Sequence, residues 1–414
     1  MCAQPKTTDR IRSRRPRGAG VGSANPTADP ATNSRAAAQP LKIYVIAGEA
    51  SGDLHVANLI QSLRTYAKEP LEIYGGGGDK IRSTGAREFF DLAHFHVTGL
   101  TDAIQKYPQY RKASAAILSK IEKVRPDLVV LIDNPGFNLH LAQKIHAMQL
   151  SIVYYIAPQI WAWAPKRILK IKKYVKKVLV VFEFEKKIYA DHAIPVTWVG
   201  HPLKDFVKIE PGHPVTLPSK GRLVTLLPGS RKGELKMLLP VFLKAAQIIG
   251  KKLPDVSFVI LKSSTLSKEF YENFFKKSGI KLPLIERDHY DAIHQSSLAL
   301  ACSGTVTLEC ALLGTPMIIA YKGSFLSYLA AKSVIQVPFI GLPNLVLGER
   351  KFPELLQYDA TPKKIAQEAL KILTNEKLRT AMKKNLEKIS EKLGEPGANE
   401  RAAREILKVL SDKN

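Results

Sequence analysis

The sequence predicts an α/β protein built from two doubly wound, Rossmann-like domains, and three observations carry that expectation. From Leu41 onward, short β-branched runs alternate with helical patterns, the signature of a parallel sheet covered on both faces. The alternation breaks at the Pro-rich stretch Glu210–Pro218 and then restarts, dividing the chain into halves joined near residues 201–220. In each half, strands run into turns of small residues that open helices, where a doubly wound sheet builds a ligand crevice. The expected organisation is a tail over 1–40, a first domain over 41–205, a second over 206–385 and a helical segment over 386–414, swapped to a partner or packed back on the first domain.

Residues 1–40 are rich in Arg, Ala, Pro, Ser and Thr and nearly free of large apolar side chains. They cannot offset their ordering entropy and are expected to be disordered. They lack the apolar core of a signal peptide, and Asp9 and Asp29 argue against an organellar transit peptide. In the first domain, strands are expected at Lys42–Ala47, Glu72–Gly75, Leu128–Asp133, Ile152–Ile156, Val178–Phe182 and Thr197–Val199. The helices between them include Asp53–Tyr66, Tyr110–Arg125 and Leu139–Met148. In the second, strands are expected at Leu223–Leu227, Ser257–Leu261, Leu298–Ala301 and Pro316–Ala320, with helices at Glu234–Lys252, Lys268–Ser278, Thr305–Leu313 and Pro362–Leu373. No short-period repeat is present, which argues against a solenoid.

Of 414 residues, 62 are Lys or Arg and 37 are Asp or Glu, a net charge of +25. Such a balance calls for an anionic partner: nucleic acid, anionic lipid or a phosphorylated substrate. Cys2, Cys302 and Cys310 form no CxxC pair, so neither a zinc site nor a disulfide framework is expected, and a reducing compartment fits. No apolar run approaches the roughly 18 residues of a membrane span.

Four turns could carry chemistry. The first strand ends in Ala47-Gly48-Glu49-Ala50-Ser51-Gly52-Asp53, where the helix N-terminus and small residues favour close approach of a ligand. Glu49 and Asp53 would repel a bare phosphate, so a sugar or other hydroxyl-rich group fits better; Asp53 as a simple helix cap fits equally well. Asp133, ending the strand before Asn134-Pro135-Gly136, stands where a general base would face the cleft, or else caps the helix that follows. In the second half, Pro228-Gly229-Ser230-Arg231 offers a guanidinium beside a helix start, suited to phosphate oxygens, against the plain alternative of an exposed Arg on a turn. Ser303-Gly304-Thr305 suits a pyrophosphate, with Glu309 one helical turn further on and able to accept from ribose hydroxyls; the alternative is a cap and a surface acid.

Two further segments bear on partners. Trp161 and Trp163 precede an expected basic helix, Pro165–Lys177, in which Lys170, Lys173 and Lys176 interleave with apolar residues. That pattern suits an anionic bilayer, a nucleic acid, or the solvated side of a core helix. The apolar segment Gly323–Phe339 is read as core rather than as an acyl-chain pocket.

Together these motifs resemble the lipid-A-disaccharide synthase family, glycosyltransferases of the GT-B architecture, over about residues 42–405. The resemblance rests on Gly48–Asp53, Ile132–Pro135 with Phe137-Asn138, Pro158–Trp163, Gly200-His201-Pro202, Leu227–Arg231, Ser303–Thr305 with Leu308-Glu309, and Leu342–Leu345. It implies an inverting transfer from UDP-2,3-diacylglucosamine to the 6-hydroxyl of 2,3-diacylglucosamine 1-phosphate, giving a β-1,6 disaccharide 1-phosphate and UDP. It also implies roles: Asp133 as general base, Arg231 steadying the diphosphate, Ser303, Gly304 and Thr305 at the nucleotide, Glu309 near its ribose, and Asn344 in the cleft. Glu49, Ser51, Gly52 and Asp53 would form the sugar-facing wall. No metal or other cofactor is expected, because helix dipole and Arg can hold the leaving diphosphate.

The resemblance further implies homodimers with exchanged C-terminal segments and a peripheral place on the cytoplasmic face of the inner membrane; the basic residues are spread along an α/β enzyme pattern with no RNA- or DNA-binding motif, so no nucleic-acid partner is expected. Two departures stand out. Asp79-Lys80 occupies a Pro-Arg position of the family, and Gly341 replaces a usual Ser, which is expected to loosen the loop before Leu342-Pro343-Asn344. A UDP-N-acetylglucosamine 2-epimerase, which shares the architecture, is the nearest rival; the Trp pair and the basic helix count against it. A nucleic-acid-binding protein and a membrane-adsorbed scaffold with a degenerate site are the rivals from other classes.

Overall fold

The computed structural model describes residues 39–47, 50–91, 100–209, 221–323 and 337–412. The expectations for residues 1–38, for Glu49, for Glu210–Pro218 and for most of Gly323–Phe339 therefore lie outside the described residues, as do those for the side chains of Ser51, Asp53 and Trp163.

Two parallel sheets organise the chain. The first holds β1 (Leu41–Ala47), β2 (Leu71–Gly77), β3 (Arg87–Asp91), β4 (Leu128–Ile132), β5 (Ser151–Tyr155), β6 (Lys177–Val180) and β7 (Val196–Trp198), in the order β3-β2-β1-β4-β5-β6-β7. The second holds β8 (Arg222–Leu227), β9 (Val256–Leu261), β10 (Leu284–Ile285), β11 (Leu298–Cys302), β12 (Met317–Tyr321) and β13 (Glu354–Leu356), in the order β10-β9-β8-β11-β12-β13. Strand order reverses between β1 and β4 and again between β8 and β11, which puts a crevice at the C-terminal edge of each sheet. Central strands are apolar on both faces because helices cover both: every residue of β4 and β11 is buried.

The sequence pattern missed β3, β10 and β13. These are short edge strands, and two of them carry charged residues where a buried strand would carry Val or Ile. The basic segment also differs from expectation. It is not one helix over Pro165–Lys177 but a 3₁₀ turn at Pro165–Arg167, a helix over Ile168–Tyr174, and an exit at Val175, so that Lys176 lies in the loop and Lys177 opens β6. Two buried residues, Ile168 and Ile171, fix that short helix on the core, and Val175 in an extended conformation ends it.

The chain closes with helices Pro362–Thr374, Glu376–Lys392 and Ala398–Ser411. The last packs on the helix Ala50–Tyr66 of the first sheet's layer. Tyr66 donates to Glu400, Tyr155 donates to Asn399, Lys177 pairs with Glu405, and Arg404 lies 4.0 Å over the Tyr66 ring. Among the described residues no helix is long and apolar enough to cross a membrane.

Candidate functional site

Asp133 is the first residue beyond β4, and the backbone there does something unusual for L-residues. Both Asp133 and Asn134 adopt positive φ, 48° and 42°. Three groups hold this bend. The Asp133 amide donates to the Tyr155 carbonyl at 3.3 Å, while its carbonyl accepts from the Tyr154 hydroxyl at 2.6 Å and from Asn138 Nδ2 at 2.8 Å. Asn138 Nδ2 also reaches the Ile132 carbonyl at 3.0 Å, and its Oδ1 is buried without a partner among the described residues. Burial, and then the nearby Asp133 charge, raise the Tyr154 hydroxyl well above its usual value, so it remains a donor. Asp133 does not cap the next helix. That task falls to Asn134, whose Oδ1 accepts from the Phe137 amide at 3.4 Å.

In the second sheet's layer, the turn after β8 is folded around Glu234. Its carboxylate accepts from the amides of Ser230 at 3.1 Å and Arg231 at 3.3 Å, and lies 3.5 Å from the Arg231 guanidinium. An acid three residues after an N-cap position is the sequence signal that could have found it. Ser263 and Thr265, beyond β9, both donate to the Ser230 carbonyl, which ties this turn to its neighbour.

The turn after β11 is arranged differently from the simple cap. Ser303 Oγ donates across to the Ile340 carbonyl at 3.2 Å, Thr307 Oγ1 donates to Gly304 at 2.7 Å, and Thr305 is exposed with no side-chain cap bond. Glu309, half-buried on the following helix, has its carboxyl pushed up to about 7 by burial, with no hydrogen-bond partner for it among the described residues.

One cavity of about 320 Å³ joins the two layers. Asp133, Pro135, Ile156, Arg167, Phe182 and His201 line it from the first, Thr305 and Leu342 from the second. Behind the wall, Glu185 is fully buried; it accepts from Trp161 Nε1 at 3.0 Å and from the Phe182 amide at 3.2 Å. Burial pushes its carboxyl up to about 7 against the pull of the Trp161 hydrogen bond. This clamp between the Pro158–Trp163 segment and the cavity wall was not legible in the sequence.

The structure thus brings Asp133 and Thr305 to one cavity, with Ser303, Gly304 and Glu309 on the adjoining turn and helix. Lys170, Lys173 and Lys176 are exposed beside it on the surface, and Trp161 is half-buried with its ring edge against Phe184.

Asn344 lies inside the fold. It is fully buried, and its amide bonds the Phe352 carbonyl, Glu354 Oε1, and the amides of Lys351 and Phe352. Two donors and two lone pairs are all engaged inside the fold, where they shape the loop.

Gly341 is a correction. Its loop is not loosened: Glu354 accepts from the Ile340 and Gly341 amides, and a Cβ at 341 would lie 2.5 Å from Ile319 Cδ1 and 2.9 Å from Glu354 Oε1. Both of those atoms are side-chain ends, so a Cβ there would require Ile319 and Glu354 to shift.

A protein-family model described as lipid-A-disaccharide synthetase matches residues 43–408. The chain is 40% identical over 377 residues to the lipid-A-disaccharide synthase of Syntrophus aciditrophicus, covering 89% of this chain and 97% of that protein. It is 36% identical over 386 residues to that of Trichlorobacter lovleyi, covering 91% and 99%. Among solved structures, the UDP-GlcNAc 2-epimerase from Neisseria meningitidis bound to UDP-GlcNAc superposes with a TM-score of 0.59 at 13% identity, covering 90% of this chain and 100% of that one, a likeness of fold alone.

Proposed function

This chain belongs to the lipid-A-disaccharide synthase family, glycosyltransferases of lipid A biosynthesis with the GT-B fold, and on that premise we propose that it transfers diacylglucosamine from UDP to a diacylglucosamine 1-phosphate with inversion. One observation supports the chemistry: Asp133 lines a cavity shared with Thr305, the head of the helix that carries Glu309.

In this reading the Asp133 carboxylate takes the proton of the acceptor 6-hydroxyl as that oxygen attacks the anomeric carbon, and the bond from that carbon to the diphosphate breaks. The electron pair leaves with UDP. Arg231 and the amides at the head of the Val306–Leu312 helix stabilise the departing diphosphate, with Ser303, Gly304 and Thr305 beside it. Glu309 accepts from the ribose hydroxyls, a role that suits a carboxylate with no protein partner among the described residues. The exposed Lys170, Lys173 and Lys176, with Trp161, adsorb the enzyme to the anionic face of the inner membrane that supplies both lipids.

The test is product analysis with defined acyl donors. UDP should be released only when acceptor is present, which separates transfer from epimerisation or hydrolysis. Asp133→Ala should lower turnover by at least 10³-fold, about 4 kcal/mol of barrier, with UDP affinity within twofold. Turnover near wild type would remove Asp133 from the base role.

A further inference from the structure

We propose that Arg167 is the anion-recognition residue of the cavity and selects an acceptor that carries a phosphate monoester. The inference rests on the transferase reading above and extends it to the acceptor's charge.

Seven basic residues lie between Lys166 and Lys177, and Arg167 alone among them lines the cavity. The local fold explains why. Its amide donates to the Ala164 carbonyl at 2.9 Å, closing the 3₁₀ turn, and Ile168 next to it is buried, so the chain is pinned against the strand ends just there. Lys170, Lys172 and Lys173 fall on the outer side of the helix that follows, and Lys177 is taken by Glu405.

The Arg167 guanidinium forms no hydrogen bond or ion pair among the described residues. Asp133 is the one acidic side chain among those lining the cavity, so a carboxylate and a guanidinium both belong to its wall. The same lining includes the apolar Ile156, Ala157, Ile160, Val181 and Phe182, while Arg167 is exposed and can be reached by a ligand from solvent. A ligand that offers a hydroxyl to the carboxylate and two phosphate oxygens to the planar guanidinium fork matches both charges at once.

Volume narrows the ligand. About 320 Å³ is at the lower end for ligand cavities and holds a phosphorylated sugar, not its acyl chains. Those chains would leave past Leu169, 64% exposed on the helix beginning next to Arg167. Phosphate could in principle come from the acceptor, the donor diphosphate or a lipid headgroup, and each gives a different readout.

Arg167→Ala and Arg167→Gln are assayed for acceptor KM, for UDP Kd by calorimetry, and for binding to vesicles with one-fifth anionic lipid. The expected result is an acceptor KM raised at least tenfold, with partial recovery in Arg167→Lys, while UDP Kd and vesicle binding stay within twofold. The preference for phosphorylated over dephosphorylated acceptor should shrink by the same factor. An unchanged acceptor KM overturns the proposal, as does a loss confined to UDP Kd or to vesicle binding. Asp133→Asn is run alongside. Full activity in that variant would sink the base reading, while the acceptor preference of the Arg167 variants would still test the anion role.

Discussion

At Asp133 a strained bend and a buried hydroxyl are coupled. Left-handed backbone at two successive non-glycine residues costs roughly 1–3 kcal/mol each and persists only where the surroundings over-determine it. Here the Tyr154 hydroxyl and the Asn138 amide both hold the Asp133 carbonyl. Tyr154→Phe removes one of those holds with no change of volume, a loss of roughly 1–2 kcal/mol. If Asp133 is the base, kcat should fall about 5- to 30-fold with UDP affinity and fold intact. Steady-state kinetics with calorimetric UDP binding checks this, and an unaltered kcat would mean the bend stands without the hydroxyl. Asp133 was legible from its place after an apolar strand. Tyr154 was not, because a Tyr inside a buried strand reads as core, and only the pairing of β4 with β5 sets its hydroxyl on that carbonyl.

The short basic helix and the loop behind it are the elements that would meet a membrane. Leu169 stands exposed among Lys170, Lys172 and Lys173, an apolar tip within a cationic ring, as interfacial adsorption requires. Changing Lys170, Lys172, Lys173 and Lys176 to Glu should cut binding to anionic vesicles at least tenfold, and raising salt should weaken wild-type binding. Sedimentation with vesicles reads both; binding that survives the reversal at low salt would place the anchor elsewhere.

The adjoining Pro158–Trp163 segment is tied down by Glu185, and that tie depends on pH. Its carboxyl titrates near 7 in the folded protein against an ordinary 4.5, so the folded state holds an extra proton between those values. Stability is then greatest below about 4.5 and is lost as pH rises through 7, by on the order of 3 kcal/mol. Glu185→Gln stays neutral throughout and does not share this loss. Its Tm relative to wild type should therefore climb between pH 5 and pH 8, and a difference that stays flat by calorimetry would refute the burial argument.

Across the whole molecule the chain returns at its end to where it began. Helix Ala398–Ser411 packs on the first layer, and the two strands of chain that pass between layers touch at Gly200 and Gly394. Gly200 has φ +80°, and a Cβ there would sit 2.7 Å from Arg401 Nη2, whose Nε donates to the Val199 carbonyl. The same return pairs Lys177 with Glu405, both mostly buried. Glu405→Ala would leave the ammonium without its partner and should lower stability by roughly 2 kcal/mol. Urea denaturation measures it; an unchanged midpoint would show that the pair contributes nothing net.

Strand and helix alternation and the turns bearing Asp133, Arg231 and Ser303–Thr305 were determined by the sequence alone, because hydrophobic period and turn chemistry are local. Edge strands β3, β10 and β13 were not, since so short a run has no period to read, and neither was the broken course of the basic segment. Which residues share the cavity, that buried Asn344 donates to Glu354, and that Arg167 parts company with its lysine neighbours were decided only by tertiary structure. These are contacts between residues tens to hundreds of positions apart, and no local pattern encodes which buried polar groups will find each other once two sheets close over a common crevice.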